Sequence, residues 1–173
     1  MYNFNEVEIQ PEHEELIDES ENEEMSEEMR CDIFESVQED LFDVFSSQLE
    51  AIGFMVDPDE FRYTGFNSQG DGLSFYGYID IEKYITKTKQ RTKYRTLLRN
   101  IENGKVEENI SIEPTLSHYY HERTCYVDDL EVYDEVSEKC LDSIEVLKEE
   151  LEEKRLDLCK EFYDILECHY NSI

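Results

Sequence analysis

Apolar residues recur at Met29, Ile33, Val37, Leu41, Val44, Phe45, Leu49 and Ile52, the three- and four-residue spacing of an amphipathic helix. Ser26 stands in front as N-cap. Glu27 and Glu28 fill the first turn, where the helix dipole favours anions, and Gly53 suits the position just past the end. The opposite face carries Asp32, Glu35, Glu39, Asp43 and Glu50. A second helical pattern runs through Val136, Cys140, Ile144, Leu147, Leu151, Leu158, Phe162 and Leu166 and predicts a long helix over 135–170. Its polar face is again mostly acidic, with Glu149, Glu150 and Glu153 grouped near its middle. Glu135 with Lys139, and Glu150 with Lys154, have the i,i+4 order of a favourable ion pair.

The intervening chain changes period. Asp57-Pro58-Asp59 breaks it, and residues 61–81 are rich in Phe, Tyr and Ile, which favour strands. Asn67 to Gly72 lie between these residues, and Gly70 and Gly72 can adopt the positive φ of a tight hairpin turn. Residues 82–102 predict a basic helix on Tyr84, Ile85, Tyr94, Leu97, Leu98 and Ile101, ended by Asn103-Gly104. Residues 108–119 and 123–132 predict a second hairpin, turning near Tyr120-His121, with Pro114 making its first strand an edge or bulged strand. The expected fold class is α+β, a small antiparallel sheet of two hairpins covered by long amphipathic helices. Residues 26–173 form one domain. Residues 1–25, with ten acids and no Lys or Arg, form a flexible acidic arm.

Charge changes this picture most. The 173 residues contain 45 acids and 16 Lys and Arg, for a formal charge of −29, beyond what solubility requires. Residues 1–60 carry −20, residues 122–173 carry −11, and residues 83–105 carry +7. Half of the bases therefore sit in one short stretch. Anionic membranes and nucleic acid should repel such a chain. A saline habitat would spread the acids evenly, whereas here they gather at the two ends. No run of about 18 to 20 apolar residues suggests a membrane span, and MYNFNEVEIQ lacks the basic start and apolar run of a secretory signal. The five cysteines are odd in number and scattered without a CxxC, which points to reduced thiols in a cytoplasmic setting.

The block Tyr63-Thr64-Gly65-Phe66-Asn67-Ser68-Gln69-Gly70-Asp71-Gly72-Leu73-Ser74-Phe75 resembles a family of small phage and bacterial proteins. Members carry a GF-x-SQGDG-x-x-F signature and are loosely labelled antitoxins. Ser117 to Glu122 and the Glu- and Tyr-rich C-terminal helix match the same family, so the resemblance spans about residues 30–170. It implies a fold like the one above and a phage or prophage origin. Read without the family, Ser68, Gln69 and Asp71 form a candidate contact loop, although their plainer role is to cap a turn set by the glycines.

Candidate chemistry is sparse. His118, His121, Glu122 and Cys125 are close in sequence, but residues three apart on a strand face opposite sides, and structural zinc needs four well-spaced ligands. The plainer role for the histidines is aromatic packing at a hairpin end. There is no P-loop, GxGxxG, GxSxG or HExxH, and no cofactor is expected. The chain reads as a non-enzymatic acidic inhibitor that mimics nucleic acid. Its partner would be a basic nucleic-acid-binding protein, such as a nuclease, restriction enzyme, CRISPR effector or polymerase. Asp32, Glu35, Glu39, Asp43, Glu50, Glu149, Glu150 and Glu153 would face it. The alternatives are an antitoxin masking a basic ribonuclease toxin and, more remotely, an enzyme. The basic stretch would neutralise neighbouring acidic helices or the acidic face of a second copy in a homodimer.

Overall fold

The computed structural model describes residues 27–66, 71–115 and 121–173. The acidic arm, the Ser26 cap, Ser68, Gln69 and His118 lie outside them. Helix α1 spans Glu27–Ala51 and ends as its sequence predicts. Gly53 follows with φ of +99°, and a Cβ there would lie 2.7 Å from the Tyr84 backbone nitrogen. The carbonyl of Gly53 then accepts from the Asp80 N–H at 2.8 Å, which ties the end of α1 to the sheet.

Two antiparallel sheets follow. Strands β2 (Phe61–Thr64) and β3 (Gly72–Phe75) pair with Phe61 opposite Phe75 and Thr64 opposite Gly72, so the predicted first hairpin is present. Its second strand does not run on to residue 81. At Gly77 the chain passes into β4 (Gly77–Asp80), which belongs to a second sheet in which β1 (Phe54–Met55), β4, β5 (Asn109–Pro114) and β6 (Cys125–Val127) lie side by side in that order. Gly77 has φ of +154° and runs so close to β1 (Phe54–Met55) that a Cβ would lie 2.4 Å from the Met55 oxygen. Only glycine fits that crossing.

The second predicted hairpin is β5 (Asn109–Pro114) with β6 (Cys125–Val127). Contrary to expectation, β5 is an interior strand. Pro114 is tolerated because it is the last residue of the strand, where the ladder ends. Phe54, Ile79, Ile110, Ile112 and Val127 point into the core, while Tyr78 and Tyr126 stand on the uncovered face.

The single basic helix is two helices, α2 (Ile81–Lys87) and α3 (Arg95–Glu102). Asp80 caps α2 by accepting from the Lys83 N–H at 2.8 Å. The helix stops at Lys89, whose φ is +61°. Bonds from Lys89 to the Thr86 carbonyl and from Gln90 to the Ile85 carbonyl form the Schellman pattern that closes a helix. The reversal lets Tyr94 enter the core as α3 begins.

The final helix, α4 (Glu138–Tyr170), packs against β3, β6, α1 and α3. Phe45 of α1 stacks on Phe162 of α4 at 4.2 Å between centroids, and Phe34 meets Tyr170 edge-on at 5.1 Å. The α+β class is therefore as expected. Neither anticipated i,i+4 pair forms: Glu150 bonds to Lys93 instead, and Lys105 donates to the Glu135 carbonyl at 3.1 Å. Among the described residues, no helix is long and apolar enough to cross a membrane.

Candidate functional site

A 33-residue helix that buries Leu147, Leu151, Leu158, Phe162 and Leu166 must present its opposite face to solvent. On α4 that face is Glu138, Asp142, Glu145, Glu149, Glu153, Asp157, Glu161 and Asp164, all exposed and three or four residues apart. At ~1.5 Å per residue, the row is roughly 39 Å long. None of the eight takes a hydrogen bond or ion pair among the described residues. Asp32, Glu35, Glu39 and Asp43 form a shorter exposed row on α1. Glu39 and Asp43 line a 380 Å³ recess together with Phe42, Phe61, Asp59 and Arg62.

Two of the anticipated acids serve the protein itself. Glu50 lies 3.4 Å from Lys83, joining α1 to α2 across an exposed contact. Glu150 is bonded by Lys93 and accepts from the Tyr94 hydroxyl at 2.7 Å. Burial alone would raise the Glu150 pKa, but the bonds from Lys93 and Tyr94 and the Lys93 charge outweigh it and hold the carboxyl low. The same contact, with burial as the larger cause, pushes Tyr94 up.

The two sequence motifs come together at the other end of α4. A Cβ on Gly72 would lie 2.9 Å from the His121 ring and 3.0 Å from the Glu122 carboxylate, so the hairpin loop abuts the second motif. Asp71 folds back over Gly65, and Tyr163 of α4 donates to the Gly65 carbonyl at 3.0 Å. Burial, with Asp71 nearby, pushes the Tyr163 hydroxyl up to about 12. The His121 ring lies against the start of β3 at Gly72 and also makes polar contacts. Its Nδ1 accepts from the Arg123 backbone N–H at 3.2 Å, and the His121 backbone N–H donates to Thr124 Oγ1 at 3.1 Å. It thereby caps a 3-10 turn over Glu122–Thr124. Among the described residues, no group of three His, Cys, Asp or Glu could hold a metal.

Beneath this junction lies Arg155, fully buried. Its Nε and Nη2 donate to Glu152 at 3.0 and 2.5 Å, and Nη1 donates to the Glu122 carbonyl at 2.8 Å. Glu152 also accepts from the Val127 N–H at 3.0 Å. One ion pair therefore fixes α4, β6 and the 122–124 turn. Burial would raise Glu152, and Arg155 together with the Val127 N–H reverses the shift. The sequence held a signal for Arg155. It stands four residues after Leu151 on the row that should be apolar, with an acid three residues before it. Cys125 and Cys159 border Arg155, and burial pushes Cys159 up to about 12. All five thiols are free, with Cys31 and Cys168 exposed.

A family model covers residues 34–173, which include most of the α1 row, all of α4 and both motif segments. The chain belongs to the family described as Domain of unknown function (DUF8835). No curated protein and no solved structure matches it. Within the family match, the α1 carboxylates from Glu35 onward and the whole α4 row are included, while Asp32 falls just outside.

Proposed function

We propose that this chain is an acidic inhibitor that binds the nucleic-acid groove of a basic protein, with α4 as the principal contact and the α1 row beside it. The observation that carries this reading is the α4 row: eight exposed carboxylates without a partner among the described residues. A helix needing only solubility would alternate acids with lysines at i,i+4. Along this row the charge recurs about every 5.6 Å at ~1.5 Å per residue, sparser than the ~3.4 Å axial repeat of a single nucleic-acid strand but likewise of one sign throughout. A groove lined with Arg and Lys would form charge-assisted bonds to such a row, often bidentate.

Two further features support binding over catalysis. The carboxyls whose pKa moves, Asp134, Glu150 and Glu152, all move down, opposite to the need of a general acid. Burial also raises Cys125, Cys140 and Cys159, away from nucleophilic thiolates. The resemblance of the Gly65–Phe75 block to phage proteins supports a host nuclease, restriction or CRISPR effector, or polymerase as the target.

The test is affinity capture from bacterial lysate with wild type and with a Glu149→Lys/Glu153→Lys/Asp157→Lys variant, eluted by a salt gradient. The wild type should retain one nucleic-acid-processing protein, released at moderate salt, and the variant should not. Capture of a small basic ribonuclease would establish the antitoxin reading instead. Equal capture by both proteins would overturn the role of α4.

A further inference from the structure

A row of arginines stands out from the acidic surface. Arg91, Arg95 and Arg99 recur every four residues through α3 and the turn before it, where bonds from Tyr94 to Gln90 and from Leu98 to Tyr94 continue the helical pattern. All three are exposed. With Thr92, Leu98 and Glu102 they line a 410 Å³ surface recess. The other described bases of this stretch largely serve the fold. Lys83 pairs with Glu50, Lys93 with Glu150, and Lys105 with Asp134. Within the arginine row, Arg91 contacts Glu82 at 3.2 Å, while Arg95 and Arg99 have no ion pair or hydrogen bond from their side chains among the described residues.

We infer that this recess is a docking surface for the α4 row of a second copy of the chain. Charge and spacing both favour that occupant. Glu145, Glu149, Glu153 and Asp157 also recur every four residues. Both rows therefore step ~6 Å per charge, and ridges at four-residue intervals interdigitate when two helices cross. Guanidinium and carboxylate match as planar, bidentate partners. Within one protomer α3 packs directly on α4, held by Lys93 and Tyr94 on Glu150. The arginine row and the acidic row are thus on neighbouring helices. A two-fold axis beside them makes the contact reciprocal, each copy giving its arginines and receiving its partner's arginines, as closed dimers require. Exposed Val146, on the same stretch of α4, would be covered. The net repulsion of two acidic chains acts at range and is screened beyond ~8 Å at physiological salt, whereas the matched rows are in contact. A nucleic-acid strand offers the same anionic spacing and is the competing occupant.

The dimer would cover Glu145 to Asp157 of the row proposed above for a basic partner, so the two contacts are alternatives at α4 and the dimer must open before that partner binds there. The inference does not rest on the proposed function, and its experiment reads mass alone. Sedimentation velocity of the full chain at physiological salt should give a concentration-dependent species at twice the 20.7 kDa of one chain. Arg95→Glu/Arg99→Glu and Glu149→Arg/Glu153→Arg should each be monomeric at concentrations where wild type is dimeric, with circular dichroism confirming that both are folded. Mixing the two variants should restore a dimer, because each altered row then meets a row of opposite charge on the other chain. Failure of the mixture to dimerise while both variants are folded contradicts the proposed pairing. So does a wild type that is monomeric throughout. Monomeric wild type that binds a single-stranded oligonucleotide, with that binding lost in Arg95→Glu/Arg99→Glu, would assign the recess to nucleic acid instead.

Discussion

The hydroxyl of Tyr94 donates to Glu150 at 2.7 Å, and Lys93 closes on the same carboxylate, so three neighbouring polar groups fasten α3 to α4. Tyr94 is fully buried. Glu150→Ala would leave its hydroxyl unsatisfied and should cost about 1–3 kcal/mol in urea denaturation. Adding Tyr94→Phe should cost much less in that background than in wild type. Equal costs in both backgrounds would show that the bond contributes nothing.

Arg155 makes a sharper case. Arg155→Ala strands the Glu152 carboxylate and frees the Glu122 carbonyl, and should destabilise by about 3–5 kcal/mol. Replacing both partners, as Arg155→Met with Glu152→Leu, should cost less than the single change, since no uncompensated charge remains. A double variant as weak as Arg155→Ala would contradict the assignment.

The pH dependence follows from the same pair. The Glu152 pKa is lower in the folded chain than in the unfolded one, so its contribution is present above the ordinary glutamate value of ~4.3. It is lost as pH falls through the folded value. The stability difference between wild type and Glu152→Gln should therefore be largest near neutrality and shrink on acidification. Comparing the two chains removes the general relief of repulsion among the other acids. A difference independent of pH would disprove the linkage.

Much of this was legible in the sequence. The helical periods of α1 and α4 are long and uninterrupted, so they survive any tertiary context, and Gly53 marks the end of α1 because only a residue free at positive φ fits there. The break between α2 and α3 was not legible, because Lys89 adopts a left-handed conformation that its residue type does not advertise. The reassignment of Glu50 and Glu150 was hidden for a different reason. A local helical period identifies a polar face but cannot say which of its members meets a lysine from elsewhere in the chain. The two motif segments were visible as strings, yet their contact through Gly72 and His121 depends on how the two sheets meet.

Thiol accessibility offers an independent check of the core. Cys31 and Cys168 are exposed, whereas Cys125, Cys140 and Cys159 are buried with raised pKa values. A chromogenic disulfide reagent should modify two thiols rapidly in the native protein and all five in denaturant. Rapid modification of a third would place one of the buried cysteines outside the core.

If the acidic rows fill a groove built for nucleic acid, binding of this chain and of duplex DNA is mutually exclusive. The direct measurement is competition: the protein captured from lysate is held on immobilised chain and challenged with increasing duplex DNA at constant ionic strength. Displacement should be complete, with a DNA midpoint that rises with the density of immobilised chain. A captured protein that binds DNA while remaining on the immobilised chain would contradict it.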